Sequence, residues 1–280
     1  MNAVRYGLLN LMRVAQAFPA APQIMAELGQ LMRDPGVALD AVADHLKHDR
    51  ALAARLLRIA NSTVFAPGEP VASIAAATAL IGLQEVHRLV GAVAVDHFSL
   101  RHYPLYGFTG PQIRRNALLV ALLMEELALP LEIDPPTAYS TGLFRSFGKL
   151  VLAKIADEDA PVAPFTATAD LQLVPWEKQT FGLTGAEATA AILREWHFPP
   201  EVPAAVADHY TPTATSHPLA HLLNLAAFLA DNLGHGLPGE STYWRYPAEY
   251  AQASGISPRD LQHVTEKAVL ALARIDRALA

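Results

Sequence analysis

Leu39–Ser62, LDAVADHLKHDRALAARLLRIANS, decides how the chain is read. Leu39, Val42, Ala43 and Leu46 recur at helical spacing. Leu52, Leu56, Leu57 and Ile59 do the same one helix later. Between the two runs stands Asp49, whose carboxylate can accept from the free N–H groups opening a helix over Ala51–Asn61. Upstream, Ile24, Leu28, Leu31 and Met32 predict a helix over Gln23–Arg33. Asp34-Pro35 stops it, because proline disfavours helical conformation in the preceding residue. Downstream, Ser73 is a cap for Ile74–Leu80, Gly82 ends that helix and Gln84–Val95 begins another.

The same reading extends to the C-terminus. Turn residues and aromatics (Tyr103, Pro104, Tyr106, Gly107, Gly110) interrupt the pattern between Phe98 and Pro111 and place a boundary there. Pro111 suits the first turn of a helix to about Leu129, and a further helix is expected over Thr137–Ala156. Asp157–Leu173 reads as irregular. Thr184 and Glu187 form a capping-box pattern before Ala188–Trp196. Helices follow over Glu201–His209, His217–Leu233 and, after the Ser257-Pro258 signature, Arg259–Leu279. The expectation is an all-α, two-lobed protein: an N-terminal helical lobe at 1–105 and a helical core at 106–280.

Composition narrows the function classes. Hydrophobic residues make up 52% of the 280, enough for a sizeable core, and charged residues 17%. The formal net charge of −6 argues against a protein that grips phosphate backbones, so nucleic acid is not an expected partner. With no cysteine, disulfides and thiolate metal sites are excluded, and a reducing cytoplasm fits. Arg13 cuts the apolar run of the N-terminus short of a signal peptide. No uncharged stretch reaches the length of a membrane span, so a cytoplasmic location without a membrane is expected.

Several ordered motifs carry a resemblance. Pro22–Asp34 (PQIMAELGQLMRD), Leu39–Ser62, Pro70–Ala76 (PVASIAA) and Ala79–Val86 (ALIGLQEV) follow the first half of HDOD domains, and the chain resembles that family. Ala138–Leu152 (AYSTGLFRSFGKLVL) is similar to the related HD-superfamily segment GLLHDIGKLVL. Phe181–Pro199, Ala205–Pro212 (AVADHYTP) and Leu225–Leu233 (LAAFLADNL) resemble later stretches of that core. The resemblance covers about four-fifths of the chain. It implies a helical scaffold used in bacterial signal transduction, often alongside two-component receivers and cyclic-dinucleotide systems.

The resemblance also implies where a hydrolase of this superfamily would hold metal. There the His-Asp pair appears as Arg145 and Ser146, the upstream histidine as Asn116 and a later histidine as Gly185. His209 and Asp231 remain, while the second of a double histidine is Tyr210. A guanidinium offers no lone pair and is always charged, so it cannot replace a ligand. Arg145 is expected to fill the vacated space and pair with Asp231. The expectation is a non-enzyme: a regulatory module without cofactor or metal, acting on protein partners or a phosphate-containing small ligand. A residual metal-dependent phosphohydrolase is the alternative.

Other groupings are weaker. His217 and His221, four apart on a helix, could take an adventitious metal with His209 or Asp208. Asp44, His45, His48 and Asp49 read as a polar face. Arg55, Arg58, Arg88, Arg114 and Arg115 read as solvated helix faces with local ion pairs, or as a docking patch. The aromatics Phe98, Tyr103, Tyr106 and Phe108, with Tyr243, Trp244, Tyr246 and Tyr250, read chiefly as packing over the core edge. Gly142–Lys149 (GLFRSFGK) departs from a phosphate-binding loop in spacing and context. No G-x-S-x-G elbow or sustained β/α alternation is present.

Overall fold

Asp49 caps its helix as expected, accepting from the N–H groups of Ala51 (2.9 Å) and Leu52 (3.0 Å). A computed structural model describes residues 8–16, 21–34, 36, 38–65, 68–159, 162–168, 171–244 and 256–279. Its first half comprises α1 (Leu8–Ala15), α2 (Ala21–Met32), α3 (Leu39–Lys47), α4 (Arg50–Ala60), α5 (Ile74–Ile81) and α6 (Leu83–Asp96). Ser73 caps α5 through its hydroxyl, and Gly82, at φ +87°, turns the chain into α6. Val42, Ala43 and Leu46 are buried as the spacing predicts. Leu39, at the exposed first position of α3, is not.

The expected break opens into a two-residue hairpin, His102–Tyr103 against Phe108–Thr109, closed by Gly107 in the left-handed region. α7 (Gly110–Ala128) then begins with a capping box. Thr109 Oγ1 accepts from Gln112 N–H, and Gln112 Oε1 accepts from Thr109 N–H. Almost every position of α7 from Ile113 to Ala128 is buried, which makes it the central helix of the core. α8 (Pro135–Phe144) lies against it closely: a Cβ at Gly142 would stand 2.8 Å from Ala121 Cα.

The single helix expected over Thr137–Ala156 is two. α8 ends at Phe144 and α9 (Phe147–Asp159) starts beyond Arg145-Ser146. Neither proline nor glycine stands at the joint, so tertiary packing sets the bend. α8 packs on α7, whereas α9 packs on α11 (Gly185–Glu195), where a Cβ at Gly148 would come within 2.1 Å of Gly185 O. The Thr189 hydroxyl fastens the crossing by accepting from Gly148 N–H (2.7 Å). α10 (Leu173–Phe181), which the sequence reading left unassigned, precedes α11. The Thr184/Glu187 capping box is present in both directions.

α11 closes in a Schellman turn. His197 takes φ +59°, its N–H bonding Arg194 O and that of Phe198 bonding Leu193 O. α12 (Glu201–Asp208), α13 (Pro218–Ala230) and α14 (Pro258–Leu279) complete the fold. Buried apolar side chains from α1 through α14 form one continuous cluster. Among the described residues no single helix is long and apolar enough to cross a membrane. α5 and α6 satisfy length and composition together, but are bent by 113°.

Candidate functional site

The joint between α8 and α9 turns two cations inward. Arg145 and Lys149 are each 2% exposed. Burial of charge is costly unless an opposite charge meets it, and here the counter-charge comes from 240. Glu240 is fully buried, on the loop after α13. Its Oε2 accepts from Arg145 Nη2 (2.9 Å), its Oε1 from the Tyr210 hydroxyl (2.8 Å), and Oε1 also takes Lys149 Nζ. Burial pushes the Glu240 carboxyl up. The Arg145 guanidinium and then the Lys149 ammonium overcome this and hold it at about 2. Arg145 therefore pairs with Glu240, not with Asp231 as the sequence reading expected. The reason is reach: Asp231 caps the end of α13 and is only half-buried, while Glu240 is carried into the core.

Asn116, from the middle of α7, shares with Glu240 the same guanidinium nitrogen. Its Oδ1 accepts from Arg145 Nη2 (2.7 Å), and its Nδ2 donates to His235 O (2.7 Å). Trp244 lies under the Arg145 guanidinium at 5.3 Å. The Tyr106 and Tyr210 rings each lie 5.8 Å from Lys149 Nζ. Tyr103, Tyr106, Phe108, Tyr243 and Trp244 are thus packing residues. The Phe98 side chain, Tyr246 and Tyr250 lie outside what is described.

His209 is 1% exposed, its ring 4.1 Å from that of Tyr210 and 6.0 Å from that of Trp244. Nδ1 bonds Val206 O (2.7 Å), and Nε2 has no partner. Burial, with the nearby Arg145 charge, lowers its pKa to about 3, so the ring is neutral. Asp231 is raised by burial first and by Glu240 second. Ser146 is buried with its hydroxyl unpartnered.

At Gly185 the missing side chain makes room for others. A Cβ there would stand 2.9 Å from Glu177 Oε1 and 3.0 Å from Lys149 Cγ. Glu177, from α10, accepts from Gly185 N–H (2.8 Å) and from the Tyr106 hydroxyl (3.0 Å). Its carboxyl is raised by burial, against the pull of Lys149. The sequence reading missed Glu240, Lys149 and Glu177. Arginine, glycine and lysine in GLFRSFGK were visible. The demand of two buried cations for a carboxylate was the signal that could have prompted a search for one.

These groups do not fit a divalent metal. His209 Nε2 is a buried imidazole nitrogen without a partner. Asn116 is engaged with Arg145, and two cations sit where an ion would need carboxylates and imidazoles. Among the described residues no three His, Cys, Asp or Glu side chains gather as ligands. His217 caps α13 by accepting from Leu219 N–H (3.2 Å), and His221 Nε2 bonds Thr213 O (3.0 Å). Asp208 accepts from Ser216, so this group does not converge on one point either.

Four of the five arginines weighed as a patch are tied to carboxylates: Arg55 and Arg114 to Asp96, Arg114 and Arg115 to Asp276, and Arg88 to Glu125 (2.7 Å).

Compared with known families, residues 18–212 match the HDOD domain. The chain belongs to the HDOD family. Among solved structures, this HDOD chain is similar to a candidate phosphohydrolase from Shewanella amazonensis SB2B. The identity is 28% and the TM-score 0.67, over 98% of this chain and 100% of that one. It shares its fold with an HDOD domain protein of unknown function from Geobacter sulfurreducens (20%, TM-score 0.67, 97% of each chain). A candidate signal transduction protein from Marinobacter aquaeolei VT8 has the same fold (22%, TM-score 0.67). The HDOD chain is covered over 92% and spans 58% of that protein. No curated protein matches it. Glu240 and Trp244 lie beyond the stretch that matches the family.

Proposed function

We propose that this HDOD chain is a non-catalytic regulatory module that works by contact, in a bacterial two-component or cyclic-nucleotide signalling pathway. One observation carries the reading: the Arg145–Glu240–Lys149 cluster fills, with charges the chain supplies itself, the place where the superfamily resemblance puts a metal. A divalent ion entering there would meet two fixed positive charges. Family membership and the signalling description of the Marinobacter protein are in keeping with it.

Contact is proposed at the groove between α2 and the α11–α12 turn. Gln23, Glu27, Gln30, Glu195 and His197 line a space of about 280 Å³, and Gln30 Nε2 donates to His197 O (3.2 Å) across it. The groove touches both segments of the chain, so a bound partner protein could bias their arrangement.

The test combines elemental analysis with an assay on bis-p-nitrophenyl phosphate in the presence of manganese or iron. The expected result is no stoichiometric metal and no turnover. About one metal per chain, lost in Asp231→Ala together with hydrolysis, would overturn the reading. That outcome would favour residual phosphohydrolase activity, the second reading, for which the description of the Shewanella protein speaks.

A further inference from the structure

α14 buries Leu261, Val264, Ala268, Leu272, Ile275 and Ala278 against the body of the fold, chiefly on α7. Its opposite face looks outward, yet it is not uniformly polar. Leu270 is 70% exposed and Val269 42%, and exposed Ala273 continues the apolar strip one turn on. Single exposed apolar side chains are ordinary on a protein surface, so exposure alone says little. The arrangement says more. Arg259, His263, Glu266, Leu270, Ala273 and Arg277 are all exposed and recur at alternating steps of four and three. That is the spacing of a seam along which two helices run side by side.

The seam is its own complement when inverted. A two-fold axis midway between Leu270 and Ala273 sets Leu270 against Ala273 of a second copy. The same rotation sets Glu266 against Arg277 of the second copy. Each pairing occurs twice, as an isologous contact requires. Opposite charges thus meet at both ends of an apolar centre, where the small Ala273 lets the helices come close. Within one chain Glu266 and Arg277 stand eleven residues, about 16 Å, apart along the helix and cannot meet. Their bonds are to their own helix: Gln262 Nε2 donates to Glu266 (2.9 Å), and Arg277 Nε to Ala273 O (3.3 Å). Both bonds lie in solvent, where exchanging them costs little.

We propose that α14 is a self-association surface: two copies of this chain pair antiparallel along the seam, with Leu270 at the centre and Glu266–Arg277 ion pairs at the ends. The occupant is a second copy because the match of charge and shape is to the same helix inverted. From Arg259 to Arg277 the seam spans about 27 Å, so the contact falls below about 1,200 Å² and belongs to the weak, concentration-dependent class. α14 lies beyond the stretch that matches the HDOD family, and on a different element from the groove between α2 and the α11–α12 turn. The pairing is thus independent of the contact proposed there.

Sedimentation equilibrium of the full chain between about 1 μM and about 1 mM spans the affinities expected for a contact of this size. The mean mass is expected to rise from that of one chain towards that of two. Leu270→Glu should hold the protein at one chain throughout, since it brings two carboxylates together at the axis. With Leu270 exposed in the single chain, the melting temperature of that variant should stay within about 2 °C of the parent's.

A charge swap tests the register. Arg277→Glu sets carboxylate against carboxylate twice and should raise the dissociation constant at least about tenfold. Adding Glu266→Arg restores opposite charges in the inverted register and should bring the constant back to within about threefold of the parent's. A chain that stays single at about 1 mM, an association that survives Leu270→Glu, or a swap without recovery overturns the proposal. None of these outcomes touches the metal-free reading, which fails only if the protein gathers a metal ion and hydrolyses.

Discussion

Two buried ion clusters in this molecule have opposite stoichiometry. Around Glu240, two cations share one carboxylate. Around Arg88, one guanidinium is shared by three carboxylates, Glu125 at 2.7 Å, Glu126 at 3.4 Å and Glu85 at 3.5 Å, and only the outer two have a further cation at the edge, Lys267 on Glu126 and Arg274 on Glu85. Both central carboxylates are fully buried. Burial pushes each of them up, yet their titration diverges. Glu240 is held at about 2 because positive charge is in excess. Glu125 ends above its ordinary value, because Arg88 is divided and Glu126 adds repulsion. Depth alone therefore does not decide whether a carboxylate stays ionised; the local balance of charge does.

The largest consequence is for truncation. Glu240→Ala leaves Arg145 and Lys149 buried without a counter-charge and should cost about 3–5 kcal/mol in urea unfolding at neutral pH. Glu125→Gln should change stability by no more than about 1 kcal/mol, because it removes a carboxyl already raised by its burial and leaves Arg88 the other two carboxylates. Equal losses for the two variants would break the comparison.

Acid titration comes next. His209 and His87 are both lowered to about 3 by burial, and His87 has neither ring nitrogen partnered. Above about pH 6.5 neither the folded nor the unfolded chain protonates them. Below it the unfolded chain gains protons that the fold refuses, so stability falls with pH down to about 3. The contribution of Glu240 is fully present above its unfolded pKa of about 4.3 and is lost as pH falls through about 2. Glu125 has the reverse sign: its raised carboxyl takes a proton in the fold first, which relieves its burial cost as pH falls. The net limb should be a decline beginning near pH 6.5, read as urea midpoints across pH 7 to 3. His87→Leu should flatten that decline. It should also add about 1–2 kcal/mol at pH 7 by removing two unsatisfied polar atoms. A variant less stable than its parent at pH 7 would show that the imidazole makes bonds the structure does not contain.

The same contrast explains what was legible in the sequence. The helices from α2 to α6 follow from local signals, since Asp49, Ser73 and Gly82 act on neighbours a few residues away, whereas α1 was not assigned. The capping box at Thr184 is of the same kind. The joint at Arg145-Ser146 was not legible, because packing against α7 and α11 bends the segment where neither proline nor glycine marks the break. At the candidate site, Asn116, Arg145, Gly185 and His209 could be named from ordered motifs. Glu240 stands 95 residues from Arg145 in a loop with no periodicity, and nothing local marks it as the partner. Arg145 was accordingly assigned to Asp231, the one acid left among the superfamily's ligand positions.

The smallest expected effect lies at the solvent edge of the Arg88 cluster. Lys267, half exposed on α14, reaches Glu126 at 3.6 Å. An exposed partner spends side-chain entropy and is screened, so Lys267→Ala should cost less than about 1 kcal/mol. Added salt sharpens the distinction. At about 1 M ionic strength the screening length falls to roughly 3 Å, which should erase the Lys267 contribution. It should leave the Glu240→Ala penalty nearly intact, because no solvent reaches those charges. Urea midpoints of both variants at low and high sodium chloride would read the two responses together. A Glu240 penalty that fell away with salt would mean that water and ions enter the cluster, and the claim of a closed, self-neutralised core would go with it.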